Sequence, residues 1–127
     1  MKVCPVPTRP VPLLIGGHSE AALRRAATKA DGWMHAGGPN DTLESMLGKL
    51  RAFRAEAGKS NEPFEIHAAS PDGRSVDGCK RLEDLGVTDV IVGFRNPYTK
   101  GEDPQPLAGK VAKLERFADT VIAKVNP

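Results

Sequence analysis

The fold is decided by the stretch Val11-Pro12-Leu13-Leu14-Ile15-Gly16-Gly17-His18-Ser19-Glu20, which an alanine-rich segment follows at residues 21–30. Its apolar run, residues 13–15, predicts a short strand buried on both faces of a parallel sheet. Ser19 is a favourable N-cap for a helix whose small apolar face begins at Leu23. The stretch therefore predicts a strand, a glycine turn and a helix, which together make one βα unit.

The same order of strand and helix repeats three more times along the chain. Strands are predicted to start near residues 12, 32, 64 and 88. The intervals between them leave room for helical crossovers, and no adjacent pair is joined by a hairpin signal. The four strands are therefore predicted to be parallel, with right-handed connections.

The second helix is predicted from its end signals and its periodicity. Asp41 stands in the N-cap position of a capping box that closes with Glu44, and Gly58 is placed to end the helix. Its basic residues predict a charged, solvated outer face and not a nucleic-acid patch; they are Lys49, Arg51, Arg54 and Lys59.

The third and fourth helices complete the repeat. Ser75 is the predicted N-cap of the third helix, which Gly78 weakens and Gly86 ends. A long loop over residues 95–105 then leads to a last helix, whose apolar residues recur at helical spacing from Leu107 to Val125.

The composition is that of an ordinary soluble domain. A net charge of +2 argues against nucleic acid and against an anionic membrane as partners. No apolar run approaches the roughly 18–20 residues that cross a bilayer, and the first residues lack the apolar region of a secretory signal. Cys4 and Cys79 have no metal-ligand or redox spacing, which favours a reducing compartment. We expect a cytoplasmic protein.

Four βα units make half of a (β/α)8 barrel, which needs eight units and about 250 residues. The chain is predicted to be a single domain, 1–127, whose residues 1–11 form a proline-rich extended arm. Helices on one face of a four-strand sheet would leave the other face bare. Three arrangements remain open: pairing with a second copy, a missing partner half, or helices on both faces as in a doubly wound domain.

The glycine turn after the first strand is the candidate binding site. A strand that runs through Gly16 and Gly17 onto a helix N-terminus leaves several backbone N–H groups free to face an anion. That geometry suits a phosphate and hence a nucleotide-like or flavin-like cofactor. The alternative is a tight turn without a ligand.

The run Pro10 to Ala27, followed by Asp31-Gly32-Trp33, resembles the bacterial luciferase-like monooxygenase family. It is most similar to the branch that uses the deazaflavin coenzyme F-420. The resemblance implies the C-terminal half of a TIM barrel, completed by homodimerisation or by a missing N-terminal half-barrel. It also implies an oxidoreductase that binds FMN or deazaflavin and a small-molecule substrate. The cofactor phosphate would lie near the turn formed by Gly16, Gly17, His18 and Ser19.

The resemblance identifies no catalytic residue, because the family holds the cofactor ring with N-terminal strands that this sequence lacks. Trp33 is expected in the core in preference to a stack on a cofactor. Arg95 has two open roles, a contact to a substrate anion or a solvated loop side chain.

A metal site formed by the three histidines His18, His35 and His67 is conceivable, because each lies in or after a different strand. We predict no metal there, since no Asp or Glu stands at a matching strand end. The functional alternative to the oxidoreductase is a non-catalytic truncated half-barrel that oligomerises or binds a phosphate-bearing ligand.

Overall fold

The computed structural model describes residues 6–95 and 99–126, without the side chains of residues 40 and 41. Its strands are β1 (Leu14–Gly16), β2 (Gly32–His35), β3 (Glu65–Ala69) and β4 (Asp89–Ile91). Its helices are α1 (Glu20–Lys29), α2 (Asn40–Glu56), α3 (Val76–Asp84), α4 (Leu107–Phe117) and α5 (Ala123–Val125). A 3-10 helix at Pro71–Arg74 precedes α3, and a π-helical turn at Ala118–Ile122 joins α4 to α5. The four predicted βα units are confirmed.

The four strands form one parallel sheet in the order β1-β2-β3-β4. Trp33 is the register partner of Ile15 on one side and of Ile66 on the other. The order of strands in space follows their order in the chain. A doubly wound sheet reverses that order at a switch point, so the doubly wound alternative is not the arrangement of this sheet.

The hydrophobic core lies on one face of the sheet only. Side chains from that face of the strands pack with α1, α2 and α3, and the fully buried members are led by Trp33, Leu23, Leu43, Leu47, Leu50 and Leu82. On the other face Met34 and Ile91 are 39% and 41% exposed. The prediction that β1 is buried on both faces is therefore wrong, because the described residues leave this second face open to solvent.

Most predicted helix ends are confirmed. Ser19 caps α1 by accepting a hydrogen bond from the N–H of Ala22, and Ser75 caps α3 in the same way. Gly58 and Gly86 follow the last residues of α2 and α3 with φ of +71° and +87°. This left-handed conformation is the one that favours glycine after a helix.

The predicted N-cap Asp41 is wrong. The helix α2 begins at Asn40, and its N-cap is Pro39, which has φ −62° and ψ 147° and makes no side-chain cap bond. Because proline fixes φ at a value suited to this boundary, the helix starts one residue before Asp41.

Arg54 is not part of a solvated face, contrary to the prediction. Its side chain is only 7% exposed, and its guanidinium donates to the carbonyls of Lys59 and Glu62 at 2.6 and 2.7 Å. The same group lies 4.2 Å from the centre of the Phe64 ring. The chain after α2 folds back over Arg54, which the helical periodicity of α2 does not reveal.

Two predicted features lie outside the described residues in whole or in part. The first five residues of the arm, which include Cys4, are not described, and neither are residues 96–98 of the loop over residues 95–105. The described part of the arm, residues 6–11, contains no helix or strand, in agreement with its proline content. Among the helices that are described, none has the length and apolar character needed to cross a membrane.

Candidate functional site

The turn between β1 and α1 requires glycine at one position. Gly17 has φ +115°, and a Cβ atom there would lie 2.9 Å from the Cβ of Ala22. Both the backbone conformation and the close helix exclude other side chains. All residues from 16 to 21 are exposed, so the turn faces solvent at the carboxyl end of β1.

The backbone N–H groups of this turn are free. Within the described chain, none of the N–H groups of residues 17–21 donates a hydrogen bond to another residue. They surround the N-terminus of α1, where the helix dipole favours negative charge. Glu20 carries a carboxylate in the first turn, and Arg24 lies 3.8 Å from it. The arrangement fits a phosphate or another oxyanion.

The rings of Trp33, His18 and His35 lie close together at the turn. The indole N–H of Trp33 donates to the carbonyl of Gly17 at 2.9 Å, and Trp33 has no exposed surface. This confirms the prediction that Trp33 belongs to the core, and it adds a direct link from the core to the glycine turn. The rings of His18 and His35 stack with centroids 4.8 Å apart and an interplanar angle of 20°.

The hydrogen bonds of the two histidines fix their neutral tautomers. The Nε2 atom of His18 accepts from the N–H of Ala36 at 3.4 Å, which leaves the proton on Nδ1. The Nδ1 atom of His35 lies 3.2 Å from the carbonyl oxygen of Ala69, and a carbonyl only accepts. His35 therefore carries its proton on Nδ1.

The other ring nitrogen of His35 is buried without a hydrogen-bond partner in the described structure. Burial lowers the pKa of His35, the nearby His18 lowers it further, and the bond to Ala69 raises it. The net shift keeps the ring neutral, because a proton on the buried nitrogen would have neither water nor an acceptor there.

Lowering the pH from about 7.5 to 5 is expected to destabilise the protein through His35. Because the pKa of His35 is lowered from 6.5 in the folded chain, the unfolded chain binds the proton more readily below that pH. The contribution is fully present above the unfolded pKa and is lost as the pH falls towards the folded pKa. Urea midpoints measured across this range should decline, and His35→Phe should make the decline shallower.

The control for that experiment is His67→Gln, which removes an imidazole from the opposite face of the sheet and should leave the His35 contribution in place. An unchanged slope in His35→Phe would contradict the role assigned to His35.

The structure does not bring the three histidines together. His18 and His35 meet at the glycine turn, but His67 lies on the open face of β3. Its Nε2 atom is 3.0 Å from a carboxylate oxygen of Glu65 and 3.2 Å from one of Asp89. The prediction that no Asp or Glu stands at a matching strand end holds for these two residues, because Glu65 and Asp89 are the first residues of their strands. The prediction did not consider acids at strand starts, and these two are the ones that lie beside His67. The i, i+2 spacing of Glu65 and His67 was the available signal.

Arg95 is an exposed loop residue, as one of the two sequence alternatives has it, and it also makes contacts within its loop. Its guanidinium donates to the carbonyl of Gly101 at 2.9 Å and lies 3.8 Å from Asp103. The ammonium group of Lys110 is 2.9 Å from the same carboxylate, and this hydrogen bond is the main cause of the lowered pKa of Asp103. Arg95 therefore ties its loop to the start of α4.

A cavity of about 930 Å³ lies away from the glycine turn, between α3, β4 and the C-terminal helices. Apolar side chains such as Val90, Phe117 and Val121 line most of it. Cys79 borders it as a free, buried thiol whose pKa is raised by burial. Such a thiol is a poor nucleophile, in agreement with the incidental role expected for it.

Comparison with known proteins identifies the family. The model of the luciferase-like monooxygenase family matches residues 1–71. An uncharacterized protein of Mycobacterium bovis and two of Mycobacterium tuberculosis strains are each 60% identical over 124 residues. The alignment covers 98% of this chain and 42% of each relative, so the chain spans less than half the length of these relatives. No solved structure matches it. The chain therefore belongs to the luciferase-like monooxygenase family, as the resemblance of its first βα unit predicts.

Proposed function

We propose that the chain is part of a flavin- or deazaflavin-dependent oxidoreductase and that its glycine turn binds the cofactor phosphate. The observation that carries the proposal is the set of free N–H groups of residues 17–21 at the exposed N-terminus of α1. Membership of the luciferase-like family supplies the reaction class, oxidoreduction. The turn itself supplies only the recognition of an anion.

The residues of the turn have distinct tasks in this proposal. Gly17 allows the backbone to approach the phosphate, and the N–H groups that follow it donate hydrogen bonds. His18 presents its Nδ1–H as a further donor, because its Nε2 atom accepts a hydrogen bond from the N–H of Ala36. The cofactor, when bound, supplies the hydride or oxygen chemistry, while the protein orients it. FMN and deazaflavin both carry a phosphate, so this turn suits either.

The open face of the sheet supports a proposal about assembly. Strand order equals chain order, the described residues leave one face open, and the mycobacterial relatives are more than twice as long as the part that aligns. We propose that four further βα units close a barrel over this face, contributed by an N-terminal half-barrel or by a second copy of the chain. The substrate pocket would then include residues from both halves.

Replacing Ser19 with aspartate is expected to weaken binding of FMN and of inorganic phosphate by at least about ten-fold, equivalent to about 1.4 kcal/mol. Aspartate caps a helix as well as serine does, so α1 should keep its stability while a carboxylate enters the anion site. Ser19→Asn is the matched control, since it caps without charge. Affinity is measured by fluorescence titration.

Equal affinities in the aspartate and asparagine variants would contradict the phosphate assignment. The mass in solution, measured with and without FMN or deazaflavin, tests assembly at the same time. A dimer that binds phosphate but neither cofactor would favour the alternative function, a non-catalytic half-barrel with a phosphate-bearing ligand. That alternative has its own support, because the turn is built entirely from residues 16–21 of this chain.

A further inference from the structure

We propose that Glu65, His67 and Asp89 form a binding site for one first-row divalent metal ion on the open face of the sheet. The site is separate from the phosphate turn, which lies on the helix-covered side at the carboxyl end of β1. Zn²⁺ is the ion whose preferences match the donors best. The proposal concerns this chain's own residues and does not depend on the cofactor.

The sheet itself brings the three side chains together. Glu65 and His67 are two residues apart on β3 and therefore project from the same face. Asp89 on β4 is the register partner of His67, which places its side chain beside the imidazole. Only five residues of β3 and three of β4 are needed to build the cluster, and all three positions lie in regular strands.

The donor atoms of the three side chains all lie within 4.8 Å of one another, close enough to surround one small cation. The Nε2 atom of His67 lies 3.0 Å from Oε2 of Glu65 and 3.2 Å from Oδ2 of Asp89. A tetrahedral ion bonded at about 2.0–2.2 Å to each donor holds neighbouring donors about 3.3–3.6 Å apart. An ion can therefore enter with small rotations of the side chains and no change of the backbone.

The chemistry of the donors selects the type of ion. One imidazole nitrogen with two carboxylates suits Zn²⁺ and its first-row neighbours, whereas Mg²⁺ and Ca²⁺ prefer oxygen alone. Three protein ligands leave at least one position for water, as in open zinc sites. The carboxylate side chains of Glu65 and Asp89 are 45% and 55% exposed, so an ion has access from solvent.

The charge of the cluster also favours a cation. Two carboxylates share one imidazole, and within residues 6–95 and 99–126 no lysine or arginine is paired with either of them. A single N–H cannot satisfy both oxygens fully. The hydroxyl of Thr88 donates to Oδ2 of Asp89 at 2.8 Å and accepts a hydrogen bond from the N–H of Ile66. These two bonds hold the carboxylate in its orientation.

The test uses the untagged full chain after removal of metal with a chelator. Calorimetric titration with Zn²⁺ should give one ion per chain, and Zn²⁺ should raise the melting temperature, because an ion that binds only the folded chain stabilises it. Co²⁺ should give a visible absorption band that reports nitrogen and oxygen ligands.

Variants locate the ion. Glu65→Gln and Asp89→Asn keep the shape of the side chains and should each weaken Zn²⁺ binding by more than about ten-fold, whereas Thr88→Val should have a smaller effect. Glu44→Gln, the same change at an exposed position of α2, is the control and should bind Zn²⁺ as the unmodified chain does. The melting temperature of each variant without metal shows whether the variant is folded. The shift that Zn²⁺ causes in a folded variant then reports the loss of a metal ligand.

Two results would overturn the proposal. The first is the absence of both binding heat and a melting shift at about ten-fold excess of Zn²⁺, which would make the cluster a metal-free hydrogen-bonded group. The second is one-to-one binding that Asp89→Asn and Glu65→Gln leave unchanged, which would place the ion elsewhere on the chain.

Discussion

The variant Trp33→Ala is expected to lose about 3–5 kcal/mol of the free energy of unfolding, enough to unfold much of the protein at 37 °C. Trp33 has no exposed surface and packs at the centre of the core with side chains from α1 and α2. Its removal leaves a cavity of nearly a whole indole. It also removes the hydrogen bond to the carbonyl of Gly17, so the glycine turn loses its link to the core.

The comparison that isolates the core is Met34→Ala, one residue later on the same strand. Met34 points to the open face and is 39% exposed, so its loss should cost less than about 1 kcal/mol. Trp33→Phe keeps part of the packing but removes the bond to Gly17, so its loss of unfolding free energy should lie between those of the other two variants. Urea unfolding measures all three. Equal losses of unfolding free energy in Trp33→Ala and Met34→Ala would contradict a core that lies on one face of the sheet.

Local rules predict the elements of this fold because each element is marked within a few residues. Ser19 and Ser75 cap helices, Gly58 and Gly86 end them, and the apolar runs between them mark the strands. The glycine turn could be predicted for the same reason, since its strand, its glycines and its helix are contiguous. The family follows from that same stretch.

What the sequence did not predict depends on contacts between distant residues. The pairing of His67 with Asp89 needs the register of β3 against β4, which no local pattern contains. The stacking of His18 on His35 needs the two strand ends to be neighbours. The burial of Arg54 needs the path of the chain after α2. In each case the residue types were visible but the geometry that joins them was not.

The two faces of the sheet differ in chemistry, and this difference organises both proposed sites. The helix-covered face is apolar at its centre and supports the phosphate turn through Trp33. The open face carries Glu65, His67 and Asp89 beside apolar side chains. A barrel closed over this face would enclose those charges, so a bound cation would offset the cost of burying two carboxylates.

The variant Gly78→Ala is expected to destabilise the protein by about 2–3 kcal/mol or more, although alanine is the better helix former by about 1 kcal/mol. A Cβ atom at Gly78 would lie 2.0 Å from the carbonyl oxygen of Asp72 and 2.8 Å from the hydroxyl oxygen of Ser75. The carbonyl oxygen of Asp72 is a backbone atom of the 3-10 helix. The clash can therefore be relieved only if the 3-10 helix and α3 move apart. The sequence predicts Gly78 as a weakness of its helix, and the close approach of Asp72 gives the reason for glycine at this position.

Gly48→Ala in the middle of α2 is the matched control. A Cβ atom there meets no other described atom within 4 Å, so the same substitution should stabilise the protein by about 0.5–1 kcal/mol through helix propensity alone. Urea unfolding of both variants compares one chemical change in two environments. Opposite signs support the tight contact between α3 and the 3-10 helix. Stabilisation by both would mean that Asp72 does not approach Gly78, and the packing of the third βα unit would have to be rebuilt.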